Sequence, residues 1–299
     1  MLKTSVAVTA FNGEDYIEKQ LISIRDQIRK PDEVVIVDDA SQDSTAQIAE
    51  KFISDNNLSN WKLIVNKENL GIAMNFRKAL SNVTGDIIFL CTQSDIWYED
   101  KIESISSLLA TNPNIKAVNC AHELIDSAGK DLESDYLGAS GTAASRLSKT
   151  PISALLNSKP FPCGTLTVRR ENAEKYIRLS KCSLKTAFEL ECAAVAEKGL
   201  YFYDAPLIRV RFGSDIPIPS PVESAEFQLE AAKSILSITG IEKYCIICSN
   251  RLNVLKNRSF FGIIGLYFKR DYRQLLPLKV RFNDLIYVLK SGKNKKAEA

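Results

Sequence analysis

The first 120 residues alternate between two textures, and that alternation fixes most of what the chain can fold into. Short β-branched runs fall at 5–9, 33–37, 61–65, 86–90 and 116–120. Between them, apolar residues recur at helical spacing. Ile17, Leu21, Ile24 and Ile28 mark one helix, and Ala46, Ile48, Phe52 and Ile53 a second. Met74, Phe76, Ala79 and Leu80 mark a third, and Ile102, Ile105, Leu108 and Leu109 a fourth. Strands separated by helices of this length form βαβ units around a parallel sheet. The strand-like runs lack strict polar alternation, as strands covered on both faces do. The predicted fold is therefore α/β, a mainly parallel central sheet flanked by helices.

The rhythm changes after about residue 120. Residues 134–150, rich in Gly, Ala and Ser, read as a long loop, and 160–164 as a second irregular stretch before a strand at 165–169. Residues 184–198 have helical character, while 200–203 and 207–210 read as two extended pieces. D-I-P-I-P-S-P at 215–221 reads as a linker, followed by helices at 223–238 and 243–256. The expected division is a domain over 1–215, itself split near 120, and a helical C-terminal extension over 216–299.

Composition excludes several functions. The chain has 299 residues and a single histidine, His122, so multi-histidine zinc sites are ruled out. Neither GxxxxGK[ST] nor GxGxxG occurs. Residues 251–299 hold twelve Lys/Arg against three Asp/Glu, although the whole chain is only +3. An acidic body with a basic tail is not the pattern of a globally basic nucleic-acid binder, and no nucleic-acid partner is expected. The seven cysteines, odd in number and mostly among apolar residues, read as buried thiols in a reducing compartment. Cys245 and Cys248 have CxxC spacing, but no second pair or nearby histidine completes a zinc site, so they read as packed thiols. The N-terminus shows no signal-peptide core, and no apolar stretch reaches about 18 residues. The expected location is cytoplasmic.

Open parallel sheets bind ligands at the C-terminal edge of their strands. Strand one ends in Thr9-Ala10-Phe11-Asn12, strand two in Asp38-Asp39-Ala40-Ser41, and strand four in Cys91-Thr92-Gln93-Ser94-Asp95. These segments are expected to converge on one crevice. An Asp pair, a Thr and an Asn there can hydrogen-bond a base and a ribose, and carboxylates after strand four can hold a divalent metal over a diphosphate. An Asp after a strand is also a common helix N-cap, and Asp43 or Ser44 fits that role for a helix from Thr45.

Four segments carry a resemblance: V-A-V-T-A-F-N-G-E-D-Y-I, V-V-I-V-D-D-A-S-Q-D-S-T, N-L-G-I-A-M-N-F-R-K-A-L and G-D-I-I-F-L-C-T-Q-S-D-I-W-Y-E-D-K-I. Together they resemble the family 2 inverting glycosyltransferases, in the flavour of the rhamnosyltransferase-like branch of bacterial surface polysaccharide synthesis. P-F-P-C-G-T-L-T-V-R-R and Y-F-Y-D-A-P-L-I-R-V-R are similar to two later family segments. The resemblance implies a GT-A fold, with a nucleotide-binding half over 1–120 and an acceptor half over 121–215. It implies Thr9 and Asp39 at the nucleobase, Phe11 stacked on it, and Asn12, Asp38 and Asn69 in the same nucleotide pocket.

Two departures follow by position. Where the family's metal motif commonly reads D-x-D-D, this chain has Thr92-Gln93-Ser94-Asp95, so only Asp95 is left to hold Mn2+ or Mg2+, bound weakly or not at all. The position of the catalytic base falls near Ala187, with Glu189 and Glu191 as the nearest carboxylates; these also read as solvated helix residues. The terminal Arg-x-His motif lacks its histidine at 211–214. Arg77 and Lys78 are further cations that could face a diphosphate. The resemblance implies a glycosyltransferase moving a sugar from UDP-hexose or dTDP-rhamnose to a glycan or lipid-linked acceptor. Two alternatives are a glycosyltransferase-like protein that binds nucleotide or glycan without transfer, and an unrelated nucleotide-binding α/β enzyme. The apolar stretches at 260–268 and 285–289 lie beside Lys/Arg clusters, the pattern of a surface resting on anionic lipid at the inner face of the plasma membrane. The same stretches also suit a helical cap on the core.

Overall fold

The computed structural model describes residues 1–132, 146–157, 161–179, 186–211, 220–239 and 241–294. Its N-terminal half runs β1 (Thr4–Ala10), α1 (Ile17–Arg25), β2 (Glu33–Asp38), α2 (Thr45–Asp55), β3 (Trp61–Val65), α3 (Ile72–Asn82) and β4 (Ile87–Thr92). A two-residue β5 (Ile96–Trp97), α4 (Lys101–Thr111) and β6 (Ala117–Ile125) follow. Then come β7 (Leu147–Lys149), α5 (Ile152–Asn157), β8 (Leu166–Arg169), α6 (Arg170–Leu179), α7 (Thr186–Ala196) and β9 (Leu200–Arg211). The C-terminal helices are α8 (Pro221–Thr239), α9 (Lys243–Lys256), α10 (Phe260–Phe268), α11 (Arg270–Leu275) and α12 (Leu278–Asn294).

The strands form one sheet in the order β3-β2-β1-β4-β8-β6-β9-β5, with β7 on β9. β3, β2, β1 and β4 are parallel, as βαβ connections require, and β8 enters antiparallel between β4 and β6. All seven residues of β1 are buried, which explains why its sequence shows no polar alternation. Val6, Val8, Ile36, Ile87 and Phe89 form a core with Leu21 and Ile24 of α1 and with Ile102 and Ile105 of α4. This is the α/β architecture expected, a largely parallel sheet flanked by helices with a helical C-terminal extension.

Several local expectations change. The two extended pieces at 200–203 and 207–210 are one strand, β9, whose register against β6 slips between Tyr203 and Pro206. That irregularity, at Asp204 and Pro206, is why the sequence reads as interrupted. Residues 147–149, placed in a loop, form β7; residues 134–145 of that loop lie outside the described residues, as does most of the 215–221 linker. α1 ends at Arg25, leaving Ile28 exposed, and the buried face of α3 uses Asn75 where Met74 was expected. The side chain of Asp43, not of Ser44, accepts the amide of Thr45 at the start of α2 (3.0 Å).

The chain separates into two compact units, one of Met1–Thr150 with Pro160–Ser214, the other of Pro151–Lys159 with Asp215–Ala299. The short α5 thus belongs with the C-terminal helices, where it meets α8 and α11. Inside the second unit, Arg251 is fully buried and donates to Asp284 (2.6 and 2.7 Å) and Gln228 (2.7 Å), while Tyr272 Oη also donates to Asp284 (2.8 Å). The likewise buried thiol of Cys248, beside half-buried Cys245, is pushed up to about 12 by burial, as packed thiols are.

Candidate functional site

Register brings the ends of three strands level: Ala10 pairs with Asp38, and Thr9 with Thr92. Beyond these ends lies a cleft of about 600 Å³, the size of a small-ligand site. Thr9, Phe11, Asp39, Asn69 and Asp95 line it, joined by Ile72, Asn75, Gln93, Cys163 and Arg211. Four of the six residues expected to bind the nucleotide therefore meet there, with Asp95.

Asp39 is buried and organises one wall. Its Oδ1 accepts from Asn66 Nδ2 (2.7 Å) and the Leu70 amide (2.9 Å), and its Oδ2 from the Gly71 amide (2.8 Å). The loop entering α3 is thereby tied to the end of β2, and Gly71 adopts φ +79, a conformation glycine reaches without steric cost. Asn69 Oδ1 accepts the same Gly71 amide (2.9 Å). Beneath, Asn75 Nδ2 donates to Val37 O (2.9 Å) and its Oδ1 accepts from Asn66 (3.0 Å), while Lys78 donates to Asn66 Oδ1 (2.6 Å). Lys78 is thus bound into this network, and Arg77 donates to the carbonyl of Ile177 (2.6 Å); neither lines the cleft.

Phe11 presents a ring that is 42% exposed on a backbone held from both sides. Its amide donates to Gln93 Oε1 (2.6 Å) and its carbonyl accepts from Gln93 Nε2 (2.8 Å), so one side-chain amide bridges the ends of β1 and β4. Asp38 and Asn12 differ from expectation, since neither lines the cleft. Asp38 accepts from the Ser41 amide (2.9 Å) and hydroxyl, forming a tight turn, because its carboxylate reaches the residue three positions on. Asn12, at φ +46, receives the Gln42 amide (2.9 Å) and donates its own amide to Ser41 Oγ (2.9 Å). Both residues shape the turn that carries the wall.

At the other wall Asp95 is only 4% exposed. It accepts from Thr92 Oγ1 and from the Arg211 amide (3.3 Å). Burial pushes its carboxyl above the ordinary range, against the opposing pull of the Thr92 hydroxyl, the Arg211 amide and the charges of Lys101 and Arg211. Arg211 closes this end of the cleft: its guanidinium donates to the carbonyls of Ser94 (3.0 Å), Asp126 (2.6 Å) and Ser127 (2.7 Å), and lies 4.8 Å from the Tyr16 ring centre. Lys101, fully buried, donates to Gly164 O (2.6 Å) and sits over Trp97; desolvation lowers its pKa.

At the end of β4 the cleft offers a divalent cation one carboxylate, Asp95. Mg2+ takes six oxygen ligands and is commonly held by one or two carboxylates together with substrate phosphates. Here the neighbouring positions carry only the hydroxyls of Thr92 and Ser94, and Asp95 is engaged by protein donors. Among the described residues no three His, Cys, Asp or Glu side chains gather as a metal site. In its contacts with Thr92 and the Arg211 amide, Asp95 clasps β4 to β9.

Glu189 and Glu191 do not line the cleft, and neither is a solvated helix residue: they are 4% and 1% exposed in α7. Glu191 Oε1 accepts from Asn119 Nδ2 (2.7 Å), and Oε2 has no partner among the described residues. Burial pushes its carboxyl up to about 8, so it carries a proton at neutral pH. Sequence reading missed Asn75 and Arg211 as cleft residues, and placed Gln93 at the crevice only as part of the segment after strand four, without a role. The signal for Asn75 was a polar residue on the buried stripe of α3; Gln93 and Arg211 act through partners distant in sequence, which no local pattern reveals.

Residues 5–177, more than half of the chain, match the family described as glycosyl transferase family 2, and the chain belongs to that family. It is 34% identical over 141 residues to dTDP-rhamnosyl transferase RfbG of Shigella flexneri, covering 43% of this chain and 48% of that protein. It is 30% identical over 132 residues to the putative glycosyltransferase EpsH of Bacillus subtilis, covering 44% and 37%. The chain thus spans half or less of the length of these curated relatives. The fold resembles S. aureus TarS 1–349 in complex with UDP-GlcNAc, with a TM-score of 0.63 and 17% identity over 98% of this chain and 92% of that one. It also resembles the mannosyltransferase PcManGT of Pyrobaculum calidifontis in complex with GDP-Man and Mn2+, with a TM-score of 0.54 and 17% identity over 96% and 86%. At such identities the likeness is one of fold.

Proposed function

We propose that this chain binds a nucleotide-sugar donor in the cleft at the ends of β1, β2 and β4 and transfers the sugar, with inversion, to a glycan or lipid-linked acceptor in surface polysaccharide synthesis. The observation that carries this reading is the joint placement of Phe11, Thr9, Asp39 and Asn69 in one cleft of suitable size. Phe11 offers a stacking face for the base. Thr9 and the remaining lone pair of Asp39 offer hydrogen bonds to base or ribose. Asn69 lies where the loop entering α3 meets the cleft. The relative RfbG is named as a dTDP-rhamnosyl transferase, and TarS was solved with UDP-GlcNAc, which makes dTDP-rhamnose and a UDP-hexose the donors to test first. We place the protein in the cytoplasm, at the inner face of the plasma membrane, where such an acceptor is presented.

Inverting transfer is a single displacement. A base removes the acceptor proton as the oxygen attacks the anomeric carbon, and the leaving diphosphate gathers charge that needs electrostatic support. The donor set described above leads us to read donor binding as independent of Mn2+ and Mg2+. A second reading, binding without transfer, is favoured by one observation: Glu189 and Glu191 are buried away from the cleft. Transfer assays with UDP-glucose, UDP-GlcNAc and dTDP-rhamnose, scored by nucleoside diphosphate release and compared with nucleotide binding, separate the two. Release with acceptor present supports transfer, with Glu189→Gln and Glu191→Gln testing the base; binding without release supports the second reading.

A further inference from the structure

The second unit carries an apolar face that its own packing leaves uncovered. On α10, Ile263 and Leu266 point into the core, while Phe261 and Phe268, seven residues apart on the opposite face, are 85% and 78% exposed. On α12, Asp284 and Val288 point inward, while Leu278, Phe282 and Leu289, at spacings of four and seven, form an exposed stripe. The two helices are neighbours, and the Arg281 guanidinium lies 5.3 Å from the ring centre of Tyr267. Burying exposed phenylalanine is favourable, so a face with this many uncovered rings has a partner.

Charge identifies which partner. Residues 256–283 contain seven Lys/Arg and one acid, Asp271. Lys269 and Arg270 directly follow Phe268; both are exposed, as are Arg273 and Lys279. None of these four is in an ion pair among the described residues. A second copy meeting the same face through a two-fold axis would set like charge against like. An anionic phospholipid surface satisfies both halves of the pattern, with rings in the acyl boundary and cations at the headgroups.

We propose that α10 and α12 form a docking face for anionic phospholipid, with Phe261 and Phe268 as its apolar anchors. This deepens the reading of a lipid-linked acceptor by naming the surface that would bring the chain to it.

Co-sedimentation of the full chain with vesicles tests the proposal, using phosphatidylcholine alone and phosphatidylcholine with phosphatidylglycerol. The expected result is binding to the anionic vesicles only, weakened by added salt. Lys269→Gln with Arg270→Gln should weaken binding about 25-fold, at roughly fivefold per charge. Phe261→Ser with Phe268→Ser should weaken it at least about tenfold. The thermal transition should not fall in either variant, since these side chains are exposed. Absence of binding, or equal binding to both vesicles, would overturn the proposal. So would a dimer in sedimentation velocity that the phenylalanine variant dissolves, because a second copy would then cover the face. Nucleotide titration of the same samples reports on the cleft separately, so failure of one reading is distinguishable from failure of the other.

Discussion

Phe11 and Glu191 show how differently two side chains of one fold can be read. The Phe11 ring is exposed while its backbone is fixed by Gln93, so replacing the ring removes a stacking surface without touching the core. Phe11→Ala is predicted to weaken nucleotide binding by about 1–3 kcal/mol and to leave the unfolding midpoint unchanged, as titration and denaturant unfolding would show. Glu191 lies in the interior and is held protonated. Its folded pKa of about 8 is above the ordinary 4.5, so the stability it allows is complete below pH 4.5 and is lost as pH rises toward 8. By pH 7 that loss is on the order of 3 kcal/mol. Glu191→Gln should therefore raise the melting temperature at pH 7–8 and change it little near pH 4.5; an equal effect at both values would contradict a buried neutral acid. His122 titrates in the opposite sense. Burial lowers it to about 4, so its contribution is lost as pH falls from 6.5 toward 4.

At the scale of elements, β1, β2 and β4 were legible because they are buried on both faces and the helices between them carry a clear apolar stripe. Residues 61–65 are an exposed-edge strand and were equally legible, since β-branched and aromatic residues still cluster there. β9 was read as two pieces because a register slip places Asp204 and Pro206 inside a strand. Half of the cleft was legible for a similar reason: strand ends announce Thr9, Phe11 and Asp39, whereas Gln93 and Arg211 matter only through contacts made 82 and 117 residues away. The 3-10 turn at Cys163–Thr165 fits closely under Asp95. A Cβ added at Gly164 would fall 2.6 Å from Asp95 Oδ2 and 2.8 Å from Ile208 Cδ1. Gly164→Ala is predicted to destabilise the chain by about 1–3 kcal/mol, read from denaturant unfolding, because a buried carboxylate and a core side chain must both shift.

Across the whole molecule, two compact units divide the charge and the chemistry. The first holds the cleft and is net acidic; the second holds the buried Arg251–Asp284 pair and is net basic. That pair is the anchor of its unit, because Gln228 of α8, Arg251 of α9, Tyr272 of α11 and Asp284 of α12 all meet through it. Asp284→Ala would leave a guanidinium buried without its counter-charge, and is predicted to cost about 3–5 kcal/mol in urea unfolding. Substitution of an exposed pair such as Lys51–Asp55 should leave the urea midpoint essentially unchanged, because solvent screens it.

The most direct test of the account is a calorimetric titration of the full chain with UDP, dTDP and GDP, in manganese and in EDTA, repeated with Phe11→Ala. The account predicts saturable binding of at least one nucleotide, indifferent to metal and weakened about five- to 150-fold by the loss of the ring. Absence of binding at millimolar nucleotide, or binding that Phe11→Ala leaves untouched, would contradict a donor site in this cleft; binding that appears only with manganese would contradict the metal-independent reading of Asp95.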